Sequence, residues 1–368
     1  MNINFVVGKN GSGKTRHLQK AASNTNEETI LICNTVHDRY KAKPNIKKLS
    51  IRNLNSTPSR VLKTAFIELA REGTYRLNTI AKALEYCHYA PEIMFRIVIH
   101  KKAHNNIAEL QHAALRGRLD GDVSESAILA ISEDSPVQNM DFEIDLTQSY
   151  IHPKVEQSLL GMLESEKGLK RLKLVTKIDV YVRHKKHGEF LKIEQASSGE
   201  LTLIASQVFI LSNLRDCRLI LIDEPENSLH PQWQKDYVNN LGNLIGRHDA
   251  HIMIATHSPL IVSGIRNSDD LIGFYHAETD TQTEPSYTVP SAEESLWEQF
   301  ETITPESRYV SDHIVDLLES LESNNKTLDE VIKSLDEMEE ASYDRRQKKA
   351  LQAAKNLAFK IYQEAHNV

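Results

Sequence analysis

The stretch Gly8-Lys9-Asn10-Gly11-Ser12-Gly13-Lys14-Thr15 decides the fold of this chain. It follows a short apolar run, Ile3 to Val7, and precedes a segment of helical character, Arg16 to Ala22. Strand, glycine-rich turn and helix form the context in which such a stretch binds phosphate. Glycines let backbone N–H groups turn inward around an anion, and the start of the helix points further N–H groups at it. The sequence therefore predicts a site for a nucleoside triphosphate.

The polar residues of this stretch have distinct expected roles. Lys14 supplies a positive charge for the β- and γ-phosphates, and the Thr15 hydroxyl is a ligand for Mg²⁺. The rest of the phosphate cradle is formed by Asn10, Gly11, Ser12 and Gly13. A chance glycine turn ahead of a helix is the alternative, which the full match in the correct context makes the weaker explanation.

Composition places the chain among ordinary globular proteins. It has 368 residues, of which 40% are hydrophobic and 26% charged, with a formal net charge of −7. That charge gives no global attraction to nucleic acid or to an anionic membrane. The three cysteines, Cys33, Cys87 and Cys217, are isolated, so neither a disulfide framework nor a zinc site is indicated. No apolar run reaches transmembrane length and no signal peptide is visible, so we expect a cytoplasmic protein without a membrane partner.

The middle of the chain is predicted to be mainly helical. From Arg60 to about Ile131 apolar residues recur at helical spacing, which indicates a helical insertion over 59–149. Residues 174–193 then alternate and turn, which predicts a hairpin. The region 167–192 around it is the most basic of the chain. A solvated hairpin whose lysines discourage edge pairing is the favoured interpretation, and a nucleic-acid contact is the alternative.

A second candidate site element lies at the end of an aliphatic strand. The run Arg218 to Ile222 is continuous in aliphatic residues and is followed by Asp223-Glu224-Pro225, as expected for a buried parallel strand. In an α/β sheet the ligand lies at this carboxyl edge, beside the phosphate-binding loop. We expect Asp223 to hold Mg²⁺ and Glu224 to polarise an attacking water. The alternative, that these carboxylates cap a helix beginning near Pro231, is weaker beside the first motif.

Two further short motifs complete the pattern. A strand over His251–Ala255 is followed by His257, which can reach the γ-phosphate from the same sheet edge. The segment Ala196–Glu200 opens an apolar helix that continues to Leu214. Serine and glycine often begin helices simply as caps, so this segment gains meaning only from its position between the other motifs.

In their order along the chain these motifs resemble those of the ABC-type ATPases. Walker A corresponds to Gly8–Thr15, the signature to Ser197–Glu200, Walker B to Leu219–Glu224 and the switch histidine to His257. The residues of these motifs resemble the soluble RecF/SMC/OLD-like branch rather than the transporter branch. Transporter subunits usually have Gly-Gly-Gln in the signature and Ser-Ala-Leu-Asp after Walker B, and here Glu200 and His230 occupy the corresponding positions.

The resemblance implies an α/β fold, a P-loop NTPase with an ABC-type ATPase head. The head is expected over 1–58 and 150–304, the helical insertion over 59–149, and a helical C-terminal tail over 305–368. It further implies binding and hydrolysis of ATP with Mg²⁺ in a head-to-tail homodimer, or higher oligomer, that sandwiches two nucleotides. In such a dimer the signature residues Ser197, Ser198 and Gly199 lie at the nucleotide of the partner subunit, with Ser197 and Gly199 reaching its γ-phosphate.

The chain also departs from the family pattern. The aromatic residue that usually stacks on adenine is missing from its expected place, so base preference cannot be assigned. The glutamine loop has no clear position, since neither Gln111 nor Gln138 has a convincing strand-end context.

The tail and the motifs together favour one biological role among three. Three apolar helical faces after Pro305 need partners, either the head or another protein. The leading hypothesis is an ATPase that senses or regulates a separate effector, a nuclease or toxin, as the Septu-like and retron-associated ATPases of prokaryotic antiphage defence do. A RecF-like DNA-repair ATPase is the alternative, and a transporter nucleotide-binding subunit is the third.

Overall fold

The computed structural model describes residues 2–35, 40–41, 43–50, 57–116, 122–133, 139–246, 248–265, 271–283, 285–286, 292–298, 308–342 and 345–366. Its strands are β1 (Asn2–Val7), β2 (Thr29–Cys33), β3 (Ile46–Ser50), β4 (Tyr89–Ile99), β5 (Asn139–Asp145), β6 (Val175–His184), β7 (Phe190–Lys192), β8 (Leu219–Asp223), β9 (His251–Ala255), β10 (Leu271–His276) and β11 (Thr281–Gln282). Its helices are α1 (Lys14–Asn24), α2 (Thr57–Glu72), α3 (Asn78–Tyr86), α4 (Ala103–Leu115), α5 (Glu125–Glu133), α6 (Pro153–Glu164), α7 (Glu166–Arg171), α8 (Ser198–Asn213), α9 (Pro231–Ile245), α10 (Pro259–Ser263), α11 (Ala292–Glu298), α12 (Arg308–Glu322), α13 (Leu328–Ala341) and α14 (Arg345–His366).

The main sheet has the strand order β11-β10-β1-β9-β8-β2-β3. Apart from the antiparallel pair β10–β11, its neighbours are parallel. The register places Val6 opposite Ala255, Ala255 opposite Asp223, and Asp223 opposite Cys33. The loops after β1, β9, β8 and β2 therefore leave the sheet at the same level, where the site motifs were expected to meet.

Both faces of the main sheet are covered. On one face Val6, Leu31 and Leu221 pack with Leu18 and Ala22 of α1. On the other face the alternate residues of the same strands join a large cluster that includes α8, α9 and α10. Strands buried on both faces read as continuous aliphatic runs, which is why β2 and β8 were recognisable from sequence.

The second sheet is antiparallel, in the order β5-β4-β6-β7. Its inner face packs on α2 and α3, with the rings of Phe66 and Phe95 in edge-to-face contact at 4.9 Å between centroids. The hairpin predicted over 174–193 is confirmed as β6 and β7. Because β6 pairs with β4, this sheet joins chain segments on both sides of residue 150, where the sequence placed a domain boundary that stays a prediction.

The expectation of helix throughout 60–131 is wrong at β4. Ile93, Phe95 and Ile97 point to the core at the two-residue spacing of a strand, and the left-handed residue His88, at φ 64°, ends the preceding helical segment. Strand β5 likewise lies within the stretch 59–149 that was predicted to be a helical insertion. The helical pattern on both sides concealed these short alternations.

The C-terminal helices pack on one another. Leu317 and Leu321 of α12, Val331 and Leu335 of α13, and Leu351 of α14 form one buried cluster. The three apolar faces seen in the sequence thus cover each other within the chain. Helix α13 begins with a capping box in which Thr327 and Glu330 satisfy each other's backbone N–H groups.

Candidate functional site

The glycine-rich loop connects the end of β1 to the start of α1. Gly11 and Gly13 have φ of 87° and 105°, a conformation that residues with a Cβ adopt with difficulty. Gly13 is the N-cap of α1, and His17 N–H donates to the Gly13 carbonyl at 3.0 Å to begin the helix. The loop therefore has the backbone shape that a phosphate cradle requires.

Lys14 lies beneath this loop, and only 5% of the residue is exposed. Its Nζ donates hydrogen bonds to the carbonyls of Gly8 at 2.8 Å and Lys9 at 2.9 Å. Burial lowers the pKa of Lys14, while Glu224, Glu226 and Asp223 act in the opposite direction. The ammonium group is thus held between the loop and a group of carboxylates.

A cavity of about 220 Å³ opens beside the loop. Its lining residues are Gly11, Gly13, Lys14, Thr15, Arg16, Gln19 and Glu224. The structure therefore brings Glu224 to the phosphate-binding loop, although the two lie more than two hundred residues apart in the sequence. Asn10 and Ser12 belong to the loop but not to the lining of this cavity.

Asp223 ends β8 and is completely buried. Thr15 Oγ1 donates to its Oδ1 at 3.2 Å, and the Tyr40 hydroxyl donates to its Oδ2 at 3.0 Å. Burial raises the pKa of Asp223 to about 6, and the hydrogen bonds from Tyr40 and Thr15 offset only part of that effect. The two expected Mg²⁺ ligands are therefore in direct contact with each other.

The surroundings of Asp223 fit a magnesium ion. Asn34 directly follows the neighbouring strand β2, and its N–H donates to the Asp223 carbonyl at 3.1 Å. Asn34 Oδ1 is buried without a hydrogen-bond partner among the described residues. Carboxylate, hydroxyl and amide oxygens are hard ligands of the kind Mg²⁺ prefers, with phosphates and water completing its shell. The described part of the chain contains no cluster of three or more His, Cys, Asp or Glu arranged to hold another kind of metal ion.

Glu224 follows with an unusual backbone, since its φ is 51°. A non-glycine residue in this region costs about 1–3 kcal/mol and persists where the surroundings enforce it. Its N–H donates to the Ala255 carbonyl at 2.8 Å, and its Oε2 accepts from Asn227 Nδ2 at 2.9 Å. Asn227 also donates to the Asn34 carbonyl at 3.3 Å. The Glu224 carboxylate is therefore held by Asn227 of its own loop, which in turn contacts the segment that follows β2.

His257 lies just beyond β9, and it is paired with Glu226. The His257 N–H donates to Glu226 Oε1 at 2.6 Å, and its Nδ1 lies 2.9 Å from the same oxygen. The hydrogen bond to Glu226 raises the pKa of His257. Sequence reasoning missed Glu226 as well as Tyr40 and Asn227. The one available signal was a third carboxylate soon after the Walker B pair.

The signature residues lie elsewhere on the molecule. Ser197 is the N-cap of α8 and forms a capping box with Glu200, whose carboxylate also accepts from the Ser197 hydroxyl at 2.8 Å. A Cβ on Gly199 would lie 2.7 Å from the Ser228 carbonyl oxygen, so only glycine fits against the loop that follows Walker B. Neither Ser197, Ser198 nor Gly199 is among the described residues that line the cavity.

Three further predictions concern the two candidate glutamines, the basic region 167–192 and the absence of a membrane-spanning segment. Gln111 lies on α4, and Gln138 falls outside the described residues. In the basic region 167–192, Lys177 and Lys192 pair with Asp179, and Lys170 pairs with Glu166. Much of its positive charge is therefore neutralised inside the chain. Within the described ranges no helix combines the length and apolar character needed to cross a membrane.

Two solved structures show distant similarity to this chain. The Smc head domain from Pyrococcus furiosus, with an extended coiled coil and bound to the C-terminal domain of ScpA, is 14% identical with a TM-score of 0.25; the match covers 66% of this chain and 60% of that one. UvrA2 from Deinococcus radiodurans is 16% identical with a TM-score of 0.19, over 59% of this chain and 22% of that one. The chain thus spans less than two thirds of either. A search of curated proteins gave no match.

A protein-family model matches residues 36–263, which is more than half of the chain. The matched range contains the signature, Walker B and His257, whereas Gly8–Thr15 precedes it. With the parallel sheet and the phosphate-binding loop, this match confirms the predicted fold class, an α/β P-loop NTPase with an ABC-type ATPase head and a helical C-terminal region. The chain belongs to the family described as "AAA domain, putative AbiEii toxin, Type IV TA system".

Proposed function

We propose that this protein binds ATP with Mg²⁺ and hydrolyses it. The observation that carries the proposal is the cavity in which Gly11, Gly13 and Lys14 face Glu224, with the Thr15–Asp223 pair beside it. A phosphate cradle, a magnesium site and a carboxylate for water activation are the parts that phosphoryl transfer to water needs. Here one sheet edge brings all three together.

Binding uses the loop and three residues with oxygen ligands beside it. The N–H groups of the loop and of the start of α1 would donate hydrogen bonds to the phosphates, and Lys14 Nζ contributes its charge. When bound, Mg²⁺ neutralises phosphate charge, and Asp223, Thr15 and Asn34 are the residues that would hold it. Because Lys14 and Asp223 are both buried, the site is poorly solvated and its electrostatic interactions are strong.

Hydrolysis depends on Glu224. Its carboxylate is fixed through Asn227, so it can accept a proton from a water that attacks the γ-phosphate. The developing charge on the phosphate is stabilised by Lys14 and, from the end of β9, by His257. Products are ADP and phosphate.

A second copy of the chain is proposed to complete the site. Ser197, Ser198 and Gly199 form a helix N-terminus, with one serine as N-cap, and they lie outside their own subunit's cavity. Such a terminus is a ready anion site. Binding of ATP between the two copies would draw them together, and hydrolysis would release them.

For the biological role we propose control of a separate effector, a nuclease or toxin, in prokaryotic antiphage defence. The description of the family names a putative toxin of a type IV toxin–antitoxin system, which is in keeping with nucleotide-controlled toxicity. A RecF-like role in DNA repair remains the second candidate. The internal ion pairs of Lys170, Lys177 and Lys192 neutralise part of the positive charge of the basic region, which favours the first candidate.

Nucleotide titration of Lys14→Ala tests the binding step. We expect its ATP affinity to fall by about 100-fold or more, since a buried charge-assisted contact to phosphate is lost. Lys177→Ala, in the antiparallel sheet, is the matched control and should bind as wild type does. Full ATP affinity in Lys14→Ala would overturn the proposal. Proteins that co-purify with an ATP-bound, non-hydrolysing form would then identify the effector.

A further inference from the structure

Glu226 holds His257 at two points. Its Oε1 accepts from the His257 backbone N–H at 2.6 Å and lies 2.9 Å from Nδ1 of the ring. Glu226 is only 5% exposed, whereas the His257 side chain is 39% exposed. Nδ1 of the imidazole is therefore fixed by a buried carboxylate, while the side chain as a whole remains partly exposed.

The burial of Glu226 calls for an explanation, because a buried carboxylate is costly unless it is compensated. Its Oε2 is buried without a hydrogen-bond partner among the described residues. The compensation comes from the His257 pair, with Lys14 as a nearby positive charge.

The charged groups around His257 come from two places, the segment after β8 and the start of α1. Glu226 and Glu224 follow β8 and favour the protonated imidazole, whereas Lys14 at the start of α1 opposes it. The hydrogen bond from Glu226 has the largest effect. His257 is thus subject to opposing effects from the two carboxylates after β8 and from Lys14.

We propose that Glu226 is a positioning residue for ATP hydrolysis: it keeps a proton on Nδ1 of His257, so that Nε2 is the atom presented to the γ-phosphate. The inference rests on the proposed ATPase function. An ionised carboxylate can only accept hydrogen bonds, so its partner Nδ1 must carry the hydrogen. Which nitrogen of a histidine is protonated is set by the hydrogen bond the other one makes.

The charge of Glu226 adds a second effect. It favours the imidazolium form, whose Nε2–H donates a charge-assisted hydrogen bond to a phosphate oxygen that gains charge in the transition state. A glutamine at this position could still accept from both N–H groups but would remove the charge. Glu226→Gln should therefore keep the His257 ring in place while it removes the charge that favours protonation of the ring.

Nitrogen chemical shifts of the histidine rings test the proposal directly. The His257 signals are assigned by their loss in His257→Gln, and Glu226→Gln is compared with Asp179→Asn, which also removes a buried carboxylate but in the other sheet. Wild type should show hydrogen on Nδ1. In Glu226→Gln the pKa of His257 should fall by about one unit, the effect of losing an adjacent opposite charge. Asp179→Asn should leave it unchanged.

Turnover gives the second readout. Activity that needs the imidazolium is lost as pH rises through the pKa of His257, so Glu226→Gln should lose activity at a lower pH than wild type. At fixed pH above that pKa, kcat should drop about tenfold when the pKa of His257 is one unit lower, with ATP affinity unchanged. Glu226→Asp, which retains the charge, should recover part of the loss.

The two proposals fail separately. Absence of any ATP turnover in wild type would refute the ATPase, whereas the ring signals are read without ATP. Hydrogen on Nε2 alone in wild type, or an unchanged His257 titration in Glu226→Gln, would overturn the positioning role. A purely structural Glu226 would lower Tm without moving that titration. If Glu226→Gln does not fold, the tautomer of His257 in wild type and the activity of Glu226→Asp test the positioning role instead.

Discussion

Two buried aspartates, Asp179 in the antiparallel sheet and Asp223 in the main sheet, have opposite electrostatic environments. Asp179 is 7% exposed and forms ion pairs with Lys177 at 2.5 Å and Lys192 at 2.9 Å. Burial alone would raise its pKa, but the hydrogen bonds from these lysines bring it below the usual value. Asp223 receives hydrogen bonds from uncharged hydroxyls, and burial raises its pKa to about 6. One carboxylate is paired with lysines of the chain itself, and the other is the one that we propose binds Mg²⁺.

The largest expected effect in the main sheet is that of Glu224→Gln. Removing the general base should lower kcat by about 10²–10⁴-fold while ATP binding is retained. Phosphate release and equilibrium ATP binding, measured on the same sample, check this. Asp179→Asn is the counterpart in the other sheet, and its kcat should match that of wild type. Undiminished turnover in Glu224→Gln would show that another group activates the water.

Replacing the two aspartates should change stability in opposite directions. Asp179→Asn removes the ion-pair partner of Lys177, leaves Lys192 only the longer contact with Glu194 at 3.9 Å, and should destabilise the fold by about 1–3 kcal/mol. Asp223→Asn removes a buried charge that the described residues do not neutralise, so at pH 8 without Mg²⁺ its free energy of unfolding should rise by about 1–2 kcal/mol. Mg²⁺-dependent ATP binding should be lost in Asp223→Asn alone. Urea unfolding provides the free energies, and equal signs for the two variants would contradict the electrostatic distinction.

The pH dependence of stability should differ between the same two sites. The folded-state pKa of Asp223 is raised, so its ionisation opposes folding, and this penalty shrinks as pH falls below about 6 toward the unfolded-state pKa. The folded-state pKa of Asp179 is lowered, so its contribution is present above the unfolded-state pKa and is lost as pH falls through the folded-state value. Unfolding of wild type and Asp223→Asn between pH 5 and 8 should therefore converge toward the acidic end, within about 1 kcal/mol. Parallel curves across this range would place the pKa of Asp223 elsewhere.

Tyr40→Phe should have the smallest effect. It removes one neutral hydrogen bond to Asp223 and should lower stability by about 1 kcal/mol and Mg²⁺ affinity by a few fold. Tyr150→Phe, at an exposed tyrosine, serves as control. A loss of ATP binding as large as that of Lys14→Ala would mean that Tyr40 contacts the nucleotide itself.

The sequence predicts the parts of the site that are encoded locally. The loop glycines are required by its backbone shape, and Asp223, Glu224 and His257 each follow a recognisable aliphatic strand. Tyr40 and Asn227 could not be found in this way. Tyr40 contacts Asp223, which is 183 residues away in the sequence, and Asn227 contacts Asn34 beside the end of β2, which is 193 residues away. Both contacts depend on β8 lying beside β2, and no local pattern specifies that strand order.

In the fold, too, some elements can be predicted from local sequence and others depend on contacts between distant segments. Buried strands β2 and β8 and the C-terminal helices follow from composition and periodicity. The edge strand β3 contains Lys47 and Lys48 and resembles an exposed loop, because one side of an edge strand is solvated. Strand β4 was hidden among helical patterns, and its place in the second sheet depends on β6, more than seventy residues later.

Hydrolysis of ATP in the cavity beside Gly8–Thr15, with Mg²⁺ and Glu224, is the function on which the other proposals depend. Phosphate release from ATP by purified wild-type protein, with and without a chelator and beside Glu224→Gln, tests it most directly. We predict release that stops when Mg²⁺ is removed and is reduced by at least about 100-fold in the variant. Equal release by both proteins, or none from wild type under conditions in which ATP binds, would contradict it.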